Sequence, residues 1–400
     1  MFELRAYQKQ MVEKLIWSQQ LEGADLGVLP TGAGKSLVIA ELARRTDEKI
    51  LIIQPTKEIL EQNFHKLSTY VDEKDIGIYS ASMGRKDIGH YTFATIQSIY
   101  THAEEFEDFG YIIIDECHLV NPKDKKSMFM TFLDHIGHPK VVGLTATPYR
   151  LDVSYTPNGY GGFIAHTATK LINRTKGNFW RRLMFNINIE DLIVSGHLCR
   201  LKYIDKTILG HDQIAPNKSR SDFDLDLFAK QLSEQEEKLI EAVFFAEELC
   251  KHVLVFCANV EQARSLQSYV DGSAVVTAET SKKERERIIE EFRRGIIKTV
   301  FNVGVLTTGF DFPELDGIVL LRPTKSIGLY YQMLGRGVRK AEGKDHCKVI
   351  DLTGTVKFLG RIESIKLVRE NMWELKSETG SWHNKPLYSV EITRKDPLWL

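Results

Sequence analysis

The 400-residue chain has no cysteines paired at metal-ligand spacing, no low-complexity tract and no obvious short repeat. Its five cysteines, Cys117, Cys199, Cys250, Cys257 and Cys347, are scattered and odd in number. That excludes a zinc ribbon and a complete disulfide framework, and it suits a reducing compartment. An excess of one charge is missing as well: 53 basic side chains meet 54 acidic ones, for a net charge of −1 and a pI near 6.9. A surface coated in positive charge is thereby excluded, so any nucleic-acid groove has to be local. No apolar run is long enough to span a bilayer. The opening Met1-Phe2-Glu3-Leu4-Arg5 has no apolar core behind a basic head, so no secretory signal is evident. These absences lead to the expectation of a soluble, cytoplasmic protein with no membrane partner.

What is present is 43% hydrophobic and 27% charged, an ordinary globular balance. Four hundred residues exceed one compact core, so two or three domains are expected. Residues 1–153 alternate short apolar runs with amphipathic stretches, the pattern of a doubly wound α/β sheet. After Pro55-Thr56, the residues Ile59, Leu60, Asn63, Phe64 and Leu67 fall on one helical face. Residues 154–190 break into glycine-rich and then basic-aromatic sequence, read as a connecting segment. A second alternating block covers 191–360, with strands at 252–257, 298–303 and 317–321. In it, Ser281-Lys282-Lys283-Glu284 opens a helix through Phe292 that Gly295 ends. The tail, 361–400, is read as a helix from about Arg361 to Leu375 followed by a polar end; its Trp373, Trp382 and Trp399 suggest docking.

Two short segments carry chemistry. In Leu29-Pro30-Thr31-Gly32-Ala33-Gly34-Lys35-Ser36, the glycines let several backbone N–H groups converge on one phosphate cluster at a helix start. Lys35 would neutralise β- and γ-phosphate charge and the Ser36 hydroxyl would hold Mg²⁺. A strict phosphate-loop pattern has glycine five positions before Gly34, where this chain has Leu29. The second segment, Tyr111-Ile112-Ile113-Ile114-Asp115-Glu116-Cys117-His118, reads as a buried strand delivering two carboxylates at its end. Asp115 is placed to bind the metal, and Glu116 to orient and deprotonate the attacking water. Together they describe hydrolysis of a nucleoside triphosphate.

Asp-Glu-Cys-His, followed by Leu144-Thr145-Ala146-Thr147-Pro148, resembles the signature of superfamily 2 helicases and translocases. The remaining motifs of that family are matched in order. Leu4-Arg5-Ala6-Tyr7-Gln8 resembles the element whose glutamine reads adenine, which falls to Gln8. Gln54-Pro55-Thr56-Lys57 and Ala94-Thr95-Ile96-Gln97 resemble the nucleic-acid contact motifs of the first domain, which implicates Pro55, Thr56, Thr95 and Gln97. Leu306-Thr307-Thr308-Gly309-Phe310-Asp311 resembles the second-domain motif linking nucleotide to nucleic acid, with Thr307 toward nucleic acid and Gly309 and Asp311 toward nucleotide. Gln332-Met333-Leu334-Gly335-Arg336-Gly337-Val338-Arg339 resembles the arginine-finger motif. Gln332 stands there where many members have histidine.

The resemblance implies two RecA-like α/β domains with ATP and Mg²⁺ bound in the cleft between them. Thr31, Gly32, Ala33, Gly34, Lys35 and Ser36 would cradle the phosphates. Glu116, Arg336, Arg339 and Gln332 would act in catalysis, and His118, Thr145 and Thr147 would couple hydrolysis to domain closure. The second block, through Asp311-Phe312-Pro313-Glu314, Leu321-Arg322-Pro323-Thr324-Lys325-Ser326 and Tyr330-Tyr331-Gln332, is similar to phage and bacterial DNA helicases, including the UvsW type that remodels branched DNA. DNA forks or junctions are therefore the expected partner ahead of RNA, with protein partners in a replication or repair complex. Alongside an unwinding motor stand a duplex translocase subunit of a restriction or repair assembly, an RNA helicase, and an ATP-gated clamp that does not unwind.

Between the two blocks, Lys170, Arg174, Lys176, Arg181 and Arg182 surround Phe179 and Trp180 with no acidic residue among them. Two readings stand. The cations grip phosphates, chiefly through Arg181 and Arg182, while a ring stacks on a base; or the rings pack inward and the charges face solvent.

Overall fold

A computed structural model describes residues 3–137, 139–157, 163–172, 179–219, 222–307, 309–369, 372–380 and 386–391. It divides into two compact units, one built chiefly from Met1–Arg150 with Lys170–Asn188, the other from Leu151–Thr169 with Ile189–Ser389.

In the first unit the uninterrupted apolar runs become strands covered on both faces, as parallel sheets require. The strands are β1 (Ala24–Val28), β2 (Ile50–Gln54), β3 (Ile76–Ser80), β4 (Arg85–Lys86), β5 (Tyr91–Thr95), β6 (Tyr111–Asp115) and β7 (Lys140–Thr145). A separate two-stranded sheet, β8 (Tyr149–Pro157) and β9 (Phe163–Leu171), most of whose residues fall in the second unit, precedes β10 (Trp180–Asn186) of the first in the chain. The main sheet runs β10-β1-β7-β6-β2-β5-β3-β4 and is parallel except for β4. Its helices are α1 (Ala6–Trp17), α2 (Lys35–Arg44), α3 (Lys57–Leu67), α4 (Ile96–Ile99) and α5 (Met128–His135). As the periodicity predicts, Ile59, Leu60, Asn63 and Leu67 face inward from α3, which the Thr56 side chain caps,.

Strand β10 corrects the reading of 154–190 as a mere connection. It pairs in parallel with β1 and closes one edge of the sheet. The physical reason is a buried ion triad. Asp25 on β1 has a fully buried side chain, and it accepts from Lys140 Nζ at 2.5 Å and Arg182 Nε at 2.6 Å. Trp180 is fully buried in the same strand. An added Cβ on Gly143 would collide with both its ring and the Cys117 side chain. A side chain at 143 would therefore drive the indole and the thiol apart.

The second unit repeats the design. Its strands are β11 (Arg200–Asp205), β12 (Val253–Cys257), β13 (Ser273–Val276), β14 (Thr299–Asn302), β15 (Gly317–Leu321) and β16 (His346–Asp351). They form an all-parallel sheet ordered β11-β16-β15-β12-β14-β13. The helices are α6 (Ile189–Val194), α7 (Leu225–Ser233), α8 (Glu236–Leu249), α9 (Val260–Gln267), α10 (Lys282–Arg293), α11 (Ile327–Leu334) and α12 (Thr355–Leu359). Ser281 caps α10 and Gly295, at φ +70°, follows its end, as the sequence indicates.

The tail does not form the expected helix. Strands β17 (Ile365–Arg369), β18 (Met372–Ser377) and β19 (Pro386–Glu391) make a three-stranded sheet, with β17 and β18 antiparallel. Ile365 and Leu367 are buried while Lys366 between them is not, a two-residue alternation that a helix cannot present,. The side chain of Trp373, and Trp382 and Trp399 entirely, lie outside the described residues. All five cysteines are buried and free. Among the described residues no helix is long and apolar enough to cross a membrane.

Candidate active site

In the first unit the phosphate loop joins β1 to α2. Gly34 takes φ +84°, and an added Cβ would lie 2.5 Å from Gln8 Nε2. The left-handed turn and the missing side chain let the loop and Gln8 share that space. Gln8, almost fully buried, donates to the Ala33 carbonyl at 2.8 Å, and the Tyr7 hydroxyl donates to the same oxygen at 2.9 Å. Thr31 and Ala33 are buried, Gly32 is exposed, and Ser36 is half-buried in the first turn of α2.

Asp115 and Glu116 emerge at the end of β6. Glu116 is the only non-glycine residue with positive φ, +47°, among the described residues. That conformation turns its carboxylate back onto Lys35, whose Nζ lies 2.7 Å from Oε1. His118 Nδ1 sits 3.3 Å from Glu116 Oε2 and 2.9 Å from Thr145 Oγ1. Thr145 Oγ1 in turn accepts from the Thr147 amide at 3.0 Å. A continuous polar chain thus runs from the phosphate-loop lysine to the Thr-Ala-Thr segment, and it explains why Thr145 and Thr147 are buried polar residues,.

The two carboxylates are pushed in opposite directions. Burial raises Asp115 to about 6 against the pull of Lys35, with the Glu116 charge adding to the rise,. Burial acts upward on Glu116 too, but Lys35 and His118 outweigh it and hold that carboxyl well below the ordinary range. Neighbouring carboxyls driven apart in this way divide their roles: Glu116 stays ionised, as a base must. Both oxygens of Asp115 are fixed, Oδ1 by the Glu116 amide at 2.9 Å and Oδ2 by Asn63 Nδ2 at 3.2 Å.

Asn63 was legible only as one residue of the α3 inward face; the signal was a lone amide among apolar neighbours. Arg150 was also missed, and its guanidinium donates to the His118 carbonyl. Among the described residues no cluster of three or more His, Cys, Asp or Glu side chains offers a protein-only metal cage. Ser36 and Asp115 supply hard oxygens of the kind magnesium takes when it keeps waters and substrate phosphates as its other ligands. The buried Oδ1 of Asn63 has no hydrogen-bond partner, so the arrangement fits such an ion.

The expected nucleic-acid residues of this unit lie at strand ends and helix starts. Pro55 and Thr56 are half-buried at the start of α3, Thr95 is buried and shares a hydrogen bond with Ser98, and Gln97 is exposed. Arg181 is exposed, whereas Arg182 is committed to Asp25 and to the Glu22 carbonyl. Trp180 packs rather than stacks. Arg174 and Lys176 lie outside the described residues.

In the second unit, Asn302 at the end of β14 accepts from the Val305 and Leu306 amides and so shapes the following loop. The two arginines after α11 reach into that loop. Arg336, largely buried, donates to the Phe310 carbonyl at 2.6 Å and the Thr307 carbonyl at 2.8 Å. Arg339 donates to Phe310 at 2.9 Å and pairs with Asp311 at 2.7 Å. The structure therefore brings Thr307, Asp311, Arg336 and Arg339 together. Gln332 and Gly309 are half-buried nearby in the sequence, and Thr308 lies outside the described residues.

Comparison with known proteins gives a consistent result. Residues 1–150 match the family model described as type III restriction enzyme, res subunit, and residues 234–341 match the helicase conserved C-terminal domain. A Saccharomyces cerevisiae protein provisionally named ATP-dependent helicase IRC3 is 26% identical over 381 residues, covering 88% of this chain and 51% of the relative. The DNA 3'-5' translocase XPB2 of Sulfurisphaera tokodaii is 26% identical over 382 residues, covering 89% and 83%. This chain spans about half the length of the first curated relatives it matches. Among solved structures, a type ISP restriction-modification enzyme, LlaBIII, bound to DNA is similar with a TM-score of 0.63 at 15% identity, over 88% of this chain and 28% of that one. The Saccharomyces cerevisiae protein Dbp5 bound to RNA and ADP BeF3 has a TM-score of 0.56 at 12% identity, over 87% and 83%.

Proposed function

We propose, from the premise that the chain belongs to the superfamily 2 helicases, that it is an ATP-driven motor on DNA that unwinds or remodels branched structures such as forks and junctions. The observation that carries the ATPase reading is the unbroken chain Lys35–Glu116–His118–Thr145. It links the group that would meet the γ-phosphate to the segment expected to report hydrolysis. Lys35 would exchange Glu116 for phosphate oxygens when ATP binds, freeing the carboxylate to orient and deprotonate water. A Mg²⁺ held by Ser36 and Asp115 would supply charge neutralisation at the phosphates. Arg336 and Arg339 would stabilise charge on the transferring group, since guanidinium donors match phosphate oxygens. Gln8 would read adenine beside the loop it already touches.

Support for DNA comes from the relatives named as DNA 3'-5' translocases and helicases, including XPB of Kineococcus radiotolerans at 28% identity. A second reading, a duplex-translocating subunit of a restriction or repair assembly, is favoured by the res-subunit match over residues 1–150. ATP turnover is to be measured with single-stranded DNA, duplex DNA, a fork, a four-way junction and single-stranded RNA. Strong stimulation by fork or junction supports the remodeller, and preference for plain duplex supports the translocase. Stimulation by RNA alone would overturn DNA as the substrate.

A further inference from the structure

Lys344 belongs to none of the recognised motifs. It follows a tight turn in which its amide bonds back to the Ala341 carbonyl and Gly343 has φ +72°. Its ammonium donates to three backbone carbonyls: Pro313 at 2.7 Å, Arg339 at 2.8 Å and Gly337 at 2.9 Å. A lysine head has three N–H donors and no acceptor, so these carbonyls use its capacity in full. The three oxygens come from two segments. Gly337 and Arg339 lie on the arginine-bearing stretch after α11, and Pro313 lies in the loop between β14 and β15. Arg336 and Arg339 lace the same two segments in the opposite sense, donating to Thr307 and Phe310.

We propose that Lys344 is a positioning residue for Arg339, an internal staple that fixes the main chain carrying this arginine. This rests on the reading of Arg339 as the group that stabilises the transferring phosphoryl. A single oxygen of Arg339's own peptide is held by the ammonium, so the pivot of the side chain is set by Lys344. Its guanidinium remains free to trade Asp311 for another anion. Lysine suits the task because a compact, rotatable ammonium can aim its three donors at three separate carbonyls, whereas a guanidinium at 344 would offer its donors in one fixed plane.

The test uses the full chain with saturating DNA and compares Lys344→Met, Lys344→Arg, Arg339→Ala and Lys340→Met. Lys340 is exposed and bonds outward to Gly196, so it controls for loss of a nearby positive charge. The readouts are kcat, KM for ATP, and the affinities for ADP and for ADP with aluminium fluoride, a mimic of the transition state. Lys344→Met is expected to lower kcat on the order of 100-fold with KM unchanged, the penalty of a misplaced catalytic group. It is also expected to lose the preference for the mimic over ADP, as Arg339→Ala does. Lys344→Arg falls between wild type and Lys344→Met, and Lys340→Met behaves as wild type. Wild-type preference for the mimic in Lys344→Met, or equal loss of affinity for both ligands, overturns the proposal; so does a Lys344→Arg variant with full kcat if Lys344→Met fails to fold. If Arg339→Ala keeps the preference, the reading of Arg339 itself is wrong, which the other variants reveal separately.

Discussion

Replacing Arg182 by alanine separates two uses of the basic-aromatic strand. Its guanidinium pairs with Asp25, a carboxylate with no solvent exposure that also holds Lys140. Removing one partner from a buried pair costs about 3–5 kcal/mol. Asp25 keeps Lys140 in Arg182→Ala, so the cost falls to about 2–3 kcal/mol on the same basis. For a unit of this size that is a drop of roughly 5–10 °C in melting temperature. Asp25→Ala removes the carboxylate from both cations and should reach the upper part of that range, although Lys140 keeps the Leu21 and Gly23 carbonyls and Arg182 keeps Glu22. Urea unfolding measures the loss, and DNA affinity against salt concentration runs in parallel. Arg182→Ala should leave the salt slope unchanged. Arg181→Ala should leave stability unchanged and, if Arg181 meets a phosphate, reduce the slope by about 1. An Arg182→Ala protein as stable as wild type but with a shallower slope would refute the triad as the anchor of β10.

Three further outcomes are expected. Glu116→Gln should still bind ATP but turn it over about 100-fold or more slowly, whereas Lys35→Ala should bind ATP poorly; equilibrium binding beside steady-state ATPase decides, and normal turnover in Glu116→Gln would misassign the base. Asn63→Leu keeps the inward face of α3 but releases Asp115, and should raise the Mg²⁺ needed for half-maximal turnover about 10-fold; an unchanged Mg²⁺ titration would make Asn63 a packing residue only. Burial, helped by Lys325, lowers His211 to about 4, so the unfolded chain binds the proton first as pH falls. Stability is then complete above about 6.5 and declines toward pH 4, by up to roughly 3 kcal/mol. Urea midpoints across pH 4–7 should show the slope in wild type and lose it in His211→Phe.

The site was legible where its determinants are local. A glycine turn before Lys35-Ser36, and four apolar residues ahead of Asp115-Glu116, state their roles within a few positions. Strands apolar on both faces announced a covered parallel sheet in the same way. Where the determinant is distant, sequence patterning was mute. Arg182 looked like a free cation because its partner is 157 positions away, and Asn63 looked like a core residue because Asp115 lies 52 positions on. The tail misled for another reason. Its stretch Glu370-Asn371-Met372-Trp373-Glu374-Leu375-Lys376 is rich in good helix formers, a weak prior that pairing of β18 with β17 overrides,.

The left-handed backbone at Glu116 sets heat resistance and turnover against each other at one position. Holding a long side chain at φ +47° stores strain,, and glycine alone adopts that angle without cost. Of two equally inactive variants, Glu116→Gly should therefore unfold at higher denaturant than Glu116→Ala, the reverse of their usual order. A screen that rewarded survival of heating without asking for ATP hydrolysis would drift toward the former and discard the base. Selection for turnover keeps glutamate at that turn, and the strain stays in the folded state of this chain as a fixed cost in stability,.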